Sequence, residues 1–167
     1  MIRKDVVKFG GNYITLVGKE IKVGDVAPDF AVLDNDLNTV KLSDSKGKTV
    51  VISVAPSLDT SICAAQTRRF NEEVAKLDNT VVYAISVDLP FALGRFCSTE
   101  GIENVKTLSD HRDLDFGNKY GFIIEELRLL ARGIVVVGAD GKVKHVEYVP
   151  EIKSHPDYEA ALAAAQK

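Results

Sequence analysis

A lone cysteine follows a proline and a threonine in the segment APSLDTSICAAQTRRF at residues 55–70. Two interpretations compete for this residue, Cys63. As a small apolar residue it would fill the core, because free cysteine is among the most buried residue types. As a thiolate it would be a nucleophile, because the free N–H groups and the dipole of a helix N-terminus favour negative charge. Its position in the helix alone favours core packing.

Two neighbours of Cys63 add to the chemical interpretation. Thr60 lies three residues earlier, so its hydroxyl can point back over the sulfur. Pro56 ends the preceding strand, and its ring can shield the site from bulk water. Each feature alone has an ordinary explanation, since a threonine at this place is more often only a helix cap. The combination Pro-x-x-x-Thr-x-x-Cys, together with a suitably placed arginine, favours a reactive thiolate.

A thiolate also needs a cation, and the position of Arg132 selects it among several arginines. Arg132 lies two residues before the apolar run that begins at Ile134. If that strand runs antiparallel to the strand at residues 49–55, it begins at the edge of the sheet where Cys63 lies. Open α/β sheets usually bind ligands at this edge. Arg128 is an alternative further from the start of the strand, and Arg132 by itself would be interpreted as a surface charge.

The composition limits the classes of protein to consider. The chain has 167 residues, of which 46% are hydrophobic and 27% charged, with a net charge of −3. This suits one compact domain over residues 1–167 and provides no basic surface for nucleic acid. The longest apolar runs have the length of strands, so we expect no membrane span. The N-terminal segment MIRKDVVKFGG lacks the apolar centre of a signal peptide, which predicts a cytoplasmic location.

Two β-branched apolar runs, at residues 49–55 and 80–87, are predicted as strands buried on both faces. A helix capped by Asp59 or Thr60 follows the first run. A second helix opens near Pro90 and ends at Gly101. Spacings of three and four give the first helix one apolar face, made by Cys63, Thr67, Phe70, Val74 and Leu77.

The remaining pattern completes an α/β order. It predicts a hairpin at residues 6–17, a strand near 105–108, a helix near 112–120 and a hairpin at 133–149. A last helix is expected from about Pro156, with Ser154 and Asp157 as its capping box. Strands that alternate with helices predict a central mixed β-sheet flanked by helices. The closing hairpin and helix favour a thioredoxin-like fold with an N-terminal β-hairpin, although a fold does not determine function.

Three segments resemble a known family. PSLDTSIC at residues 56–63 resembles the active-site motif of peroxiredoxins. DLPFALGRFC at residues 88–97 resembles the resolving-cysteine segment of their thiol peroxidase branch, and ELRLLARGIVVV at residues 126–137 resembles the arginine segment of that branch. The N-terminal hairpin also fits this branch, so the resemblance covers nearly the whole chain.

The resemblance implies a two-cysteine peroxidase cycle with hydrogen peroxide and alkyl or lipid hydroperoxides as substrates. Cys63 would be the peroxidatic cysteine, whose thiolate becomes a sulfenic acid. Thr60 and Arg132 would stabilise the transition state, and Pro56 would shield the sulfenic acid. Cys97 would resolve it as an intramolecular disulfide that thioredoxin reduces. The resemblance also implies a homodimer.

The position of Cys97 supports this division of roles independently. It lies near the end of a helix, just before Gly101, where the helix dipole opposes negative charge. Cys63 is therefore expected to be the nucleophile at neutral pH and Cys97 the reserve thiol. The alternative for Cys97 is core packing beside Phe91 and Phe96.

Two other functions remain as alternatives. A general disulfide oxidoreductase of this fold usually has a C-x-x-C motif, whereas the second cysteine here lies 34 positions further on, at 97 against 63. A non-catalytic binding module would retain the fold with both cysteines in the core. His111, His145 and His155 lie far apart in the sequence, and the glycines form no phosphate-binding motif, so we expect no metal or cofactor.

Overall fold

The computed structural model describes all residues from 1 to 167. Its elements alternate between strand and helix through the middle of the chain, as the sequence predicts. In chain order they are β1 Ile2–Phe9, β2 Asn12–Val17, β3 Ala31–Leu33, β4 Thr39–Lys41, β5 Thr49–Val54, α1 Ser61–Val74, β6 Thr80–Ser86, α2 Pro90–Glu100, β7 Val105–Ser109, α3 Asp115–Tyr120, β8 Ile123–Ile124, β9 Leu129–Leu130, β10 Gly133–Val137, β11 Val143–Tyr148 and α4 Tyr158–Ala165.

Seven strands form a central mixed sheet in the order β11-β10-β5-β6-β7-β3-β4. Strands β5, β6 and β7 are parallel, and β10 runs antiparallel to β5 with Gly133 opposite Val54. The start of β10 therefore lies beside the end of β5. This register brings the residue before β10, Arg132, to the edge of the sheet where α1 begins.

Alternation along β5 divides the interior into two clusters, because successive side chains point to opposite faces of a sheet. Val51 packs with residues of α1 and α4, including Phe70 and Leu162. Val50 and Ile52 belong to the cluster on the other face. Helices thus cover one face, while α3 and a second small sheet cover the other.

The second sheet has the order β1-β2-β8-β9 and contains the predicted N-terminal hairpin. Arg3 of β1 lies 4.4 Å from the centre of the Tyr148 ring and donates a hydrogen bond of 2.7 Å to the carbonyl oxygen of Gly121. The small sheet also packs close to the start of β10. A Cβ atom on Gly133 would meet the carbonyl oxygen of Glu147 and the ring of Phe122, so only glycine fits beside Arg132.

Two helix starts differ from those predicted. Helix α3 begins at Asp115 and not near residue 112, because Leu114 has a left-handed backbone with φ 51°. Helix α4 begins at Tyr158, with Asp157 as its N-cap accepting from the N–H of Ala160 at 3.1 Å. The predicted capping box with Ser154 is therefore wrong by one turn. Boundaries depend on single backbone conformations, which hydrophobic periodicity does not specify.

The four helices have between 6 and 14 residues. None of them is long and apolar enough to cross a lipid bilayer.

Asp110 holds the start of α3, and its contribution to the free energy of unfolding should depend on pH. Its buried carboxylate accepts from the N–H groups of Phe116 and Gly117 at 3.0 and 2.8 Å. Burial raises the pKa of Asp110 to about 6, despite these donors, and the charges of Asp115 and Asp113 act in the same direction. The native state therefore binds this proton more tightly than the unfolded chain does, and the contribution to stability is lost as pH rises through about 6.

We expect Asp110→Asn to remove this pH dependence. The free energy of unfolding of the natural chain, minus that of the variant, should be larger at pH 5 than at pH 7 by about 1 kcal/mol. Urea titrations at both pH values would measure it, with Asp78→Asn as the control, because Asp78 is exposed and does not contribute to the pKa of Asp110. A difference that is constant, or that grows towards pH 7, would contradict the prediction.

Candidate active site

Cys63 is the third residue of α1 and is fully buried, with 0% of its surface exposed. The first backbone hydrogen bond of the helix runs from the N–H of Ala64 to the carbonyl oxygen of Thr60, at 2.9 Å. The N–H groups of the residues before Ala64 thus remain for an anion at the helix start. The hydroxyl of Thr67, one turn later, donates to the carbonyl oxygen of Cys63 at 3.0 Å.

Arg132 lies against the sulfur of Cys63, as the antiparallel arrangement of β5 and β10 predicts. Its Nη2 donates to Cys63 Sγ at 3.1 Å, its Nη1 to Gln66 Oε1 at 2.8 Å and its Nε to the carbonyl oxygen of Ile152 at 2.6 Å. Arg128, the alternative, donates to the carbonyl oxygen of His111 at 3.1 Å on the surface.

The charge of Arg132 has no carboxylate partner. Only 2% of the residue is exposed, and none of the seven ion pairs in the structure includes it. A buried ion without a counter-charge costs several kcal/mol, on the order of the penalty for its lost hydration. Of its three hydrogen-bond partners, two are neutral oxygens, and Cys63 is the one that can ionise. The guanidinium is therefore positioned next to the sulfur of Cys63, where it can stabilise negative charge.

Gln66 is a further candidate site residue that the sequence analysis missed. Its side chain is fully buried, and its Nε2 donates to Ser53 Oγ at 2.6 Å and to the carbonyl oxygen of Val54 at 3.3 Å. These bonds turn Oε1 towards Arg132. A neutral amide orients the guanidinium without cancelling its charge. The available signal was a polar residue three positions after Cys63 on the apolar helix face, since buried polar groups require partners.

Thr60 differs from the prediction in the direction of its hydroxyl. It occupies the N-cap position by its backbone, but neither it nor Asp59 caps the helix through its side chain. The hydroxyl of Thr60 donates instead to the carbonyl oxygen of Ser57 at 3.0 Å. Its proton is thus engaged, and the oxygen is left to accept a hydrogen bond. Thr60 does not donate to the sulfur of Cys63.

The loop between β5 and α1 is bordered by Pro56, which is buried, and by Thr60, which is exposed. A cavity of about 650 Å³ opens beside it, between α1 and α2, and is lined by residues that include Thr60, Ser61, Leu93 and Phe96. Cys63 lies beneath this lining and not on it. A substrate in the cavity therefore meets Thr60 and the first turn of α1 before it meets the sulfur.

Cys97 occupies the last turn of α2, which ends at Gly101 in the left-handed conformation with φ 66°. Its carbonyl oxygen accepts from the N–H of Ile102 at 3.0 Å, and its sulfur lies 3.2 Å from the hydroxyl of Thr107. Both cysteines are free. Cys63 packs with Leu58 and Leu93, whereas Cys97 packs against the cluster between the sheet, α1 and α4.

Tyr158 is a second neighbour that sequence reasoning did not identify. Burial raises the pKa of its phenol above the usual value, Arg132 and Arg69 lower it, and Cys63 raises it. Its hydroxyl lies 2.8 Å from Nδ1 of His155. Tyr158 thus packs on the α4 side of the pair of Arg132 and Cys63.

Comparison with known proteins gives consistent matches. The family model of Redoxin matches residues 22–162. The chain is 60% identical to the thiol peroxidase of Halalkalibacterium halodurans over 160 residues, which are 96% of each chain. The crystal structure of a peroxiredoxin-like protein from Aquifex aeolicus superimposes with a TM-score of 0.90 at 39% identity, covering 98% of this chain and 97% of that one.

A more distant structure confirms the fold. The thiol peroxidase from Chromobacterium violaceum has a TM-score of 0.85 at 23% identity, over 92% of this chain and 91% of that one. At this identity the similarity concerns the fold alone. The predicted α/β, thioredoxin-like architecture with a central mixed sheet is confirmed.

Arg132→Met should slow the alkylation of Cys63 by iodoacetamide at pH 7. The variant loses a charge-assisted hydrogen bond to the sulfur, which is worth about 1.5–3 kcal/mol, so we expect a decrease of about ten-fold or more. The rate would be measured in a Cys97→Ser background, in which one thiol reacts. Arg128→Met is the matched control and should react as fast as its parent. Equal rates for Arg132→Met and its parent would show that the guanidinium does not stabilise the thiolate.

Proposed function

Because the chain belongs to the peroxiredoxin family and is a peroxidase of the thiol peroxidase type, we propose that Cys63 is its peroxidatic cysteine. The observation that carries this proposal is the contact of 3.1 Å between Cys63 and a buried arginine that has no carboxylate partner. A cysteine that only fills the core requires no guanidinium. We propose hydrogen peroxide and alkyl or lipid hydroperoxides as the substrates, on the resemblance of the motif at residues 56–63.

In the first step the thiolate of Cys63 attacks the terminal oxygen of the hydroperoxide. A bond between sulfur and oxygen forms, the O–O bond breaks, and the sulfur supplies the electron pair. The products are a sulfenic acid and an alkoxide or hydroxide, which takes up a proton to leave as alcohol or water. Arg132, which donates to the sulfur at 3.1 Å, would stabilise negative charge as it moves from the sulfur to the leaving oxygen.

Thr60 would act as a hydrogen-bond acceptor in this step. Its own proton is donated to the carbonyl oxygen of Ser57, so its lone pairs are available to the O–H of the substrate. A peroxide held in this way can approach the first turn of α1, where free N–H groups favour developing negative charge. Pro56, buried at the start of the loop, would keep bulk water from the sulfenic acid.

Cys97 would resolve the sulfenic acid in the second step. Its sulfur attacks the sulfur of Cys63, a disulfide forms and water leaves. A dithiol reductant such as thioredoxin would then restore both thiols by exchange. No cofactor enters this cycle, because the two cysteines and the external dithiol account for all the electrons.

The alternatives receive less support. A binding module without activity is incompatible with a peroxidase. A general disulfide oxidoreductase would place both cysteines at the helix start, whereas Cys97 lies at the far end of α2. We further propose a homodimer, on the family resemblance, and a cytoplasmic location, because a disulfide that must be reduced in each cycle suits a reducing compartment.

Substitution of each cysteine should separate the two roles. In an assay with peroxide, thioredoxin and its reductase, Cys63→Ser should consume no reducing equivalents. Cys97→Ser should consume one equivalent of peroxide and then stop, or depend on an added thiol, because Cys63 remains at the helix start beside Arg132. First-turnover activity that survives in Cys63→Ser and disappears in Cys97→Ser would reverse the assignment.

Formation of the disulfide should loosen the two segments that bear the cysteines. Both cysteines are free, and Leu93 and Phe96, and not Cys97, pack with Cys63, so we propose that the two segments rearrange before the sulfurs bond. We expect faster hydrogen exchange at residues 60–66, at 91–97 or at both in the oxidised protein than in the reduced protein. The sheet strand β5 is the internal control. Equal or slower exchange in both segments would contradict a rearrangement.

A further inference from the structure

Asp88, which follows β6, reaches across the sheet edge to the loop that precedes α1. One carboxylate oxygen accepts from the hydroxyl of Ser57 at 2.6 Å. The other accepts from the N–H of Leu58 at 2.8 Å and from the hydroxyl of Ser86 at 2.9 Å. No ion pair in the structure includes Asp88. The negative charge is thus held by three neutral donors, two of which belong to the loop.

The carboxylate also determines the direction of the hydrogen bonds in the loop. A carboxylate only accepts, so the single proton of the Ser57 hydroxyl points to Asp88. The oxygen of that hydroxyl is then free to accept from the N–H of Asp59 at 3.2 Å. The proton and the oxygen of the Ser57 hydroxyl are therefore both engaged. The backbone carbonyl oxygen of Ser57 accepts from the hydroxyl of Thr60.

From this arrangement we propose that Asp88 is a positioning residue for the reaction with peroxide. Through Ser57 it turns the proton of Thr60 into the loop and the lone pairs of Thr60 towards the incoming peroxide. Asp88 and Thr60 line the same cavity between α1 and α2, so the effect acts where the substrate enters. The inference rests on the proposed function, in which Thr60 accepts from the O–H of the substrate.

A residue that only holds the loop in place would make the same contacts as one that positions Thr60. The two roles can be separated by the reagent with which Cys63 reacts. A hydroperoxide donates an O–H to Thr60, whereas iodoacetamide has no such proton at its reacting carbon. Loss of positioning should therefore slow the reaction with peroxide and leave alkylation of Cys63 nearly unchanged. General loosening of the loop would change both rates.

The experiment is a double-mutant cycle between Asp88 and Thr60, measured in single turnovers with hydrogen peroxide in the Cys97→Ser background. Asp88→Asn retains the shape but brings an N–H₂ group against one of the donors. It should slow the peroxide reaction about ten-fold, the loss expected for one hydrogen bond to a charged group. In a Thr60→Val background the same substitution should lower the rate with peroxide by less than about two-fold, because the hydroxyl oxygen that Asp88 orients is already absent.

Two further variants complete the test. Ser57→Ala removes the hydrogen bond to Asp88 without changing Asp88 itself. It should show the same rate losses as Asp88→Asn, both with Thr60 intact and in the Thr60→Val background, and it replaces Asp88→Asn if that variant fails to fold. Ser109→Ala is the matched control, because its hydroxyl donates to the backbone carbonyl of Asp88 and not to the carboxylate. Its peroxide rate should equal that of the parent.

The outcomes distinguish this inference from the proposed function. The role of Asp88 would be overturned if Asp88→Asn slowed the peroxide reaction by the same factor with Thr60 intact and in the Thr60→Val background. It would also be overturned if Asp88→Asn slowed the peroxide reaction and the alkylation of Cys63 equally. If the Cys97→Ser parent itself consumed no peroxide, the assignment of Cys63 would fail instead.

Discussion

The contact between the guanidinium of Arg132 and the sulfur of Cys63 organises the site, because it places a positive charge in an interior that supplies no carboxylate. Such a charge is tolerated when its surroundings satisfy its hydrogen bonds and one neighbour can become negative. Ile152 and Gln66 supply the neutral acceptors. The sulfur of Cys63 supplies the third acceptor.

Several features of the fold hold this charge in place. Strand β10 runs antiparallel to β5, so that Arg132 arrives beside the end of β5. Gly133 leaves space for β11 and for the ring of Phe122 at the same point. Ser53, which points to the helical face of the sheet, fixes the amide of Gln66. A change at any of these positions would alter the direction of the guanidinium without touching the sulfur.

In the rest of the site, the direction of the hydrogen bonds is set by groups that can only accept or only donate. The carboxylate of Asp88 can only accept, which fixes the proton of Ser57. At the other cysteine, the hydroxyl of Thr107 donates to Asn35 Oδ1 at 3.0 Å, so its contact with Cys97 is best satisfied by the thiol proton. The sulfur of Cys63 thus accepts a hydrogen bond from a guanidinium, whereas the thiol of Cys97 is positioned to donate one to Thr107. The two cysteines pack in different clusters.

Much of the architecture could be predicted from local pattern. The β-branched runs became β5 and β6, the spacing of apolar residues became the buried face of α1, and antiparallel pairing placed Arg132 rather than Arg128 at Cys63. These features depend on periodicity, on turn residues and on the position of a cysteine in the first turn. The runs and the spacing are encoded within a few consecutive residues, whereas the pairing of β5 with β10 was expected from the type of fold.

What the tertiary structure decided is how side chains from distant segments meet. Gln66 and Tyr158 adjoin the pair of Arg132 and Cys63, and the proton of Thr60 points away from the sulfur. Asp88 reaches the loop of Ser57 from 31 residues away. Such contacts depend on strand register and on which donors remain unsatisfied after the chain has folded. The sequence by itself therefore determined the elements and singled out Cys63, and packing determined which groups surround that cysteine, because a hydrogen bond requires a direction that a one-dimensional pattern does not contain.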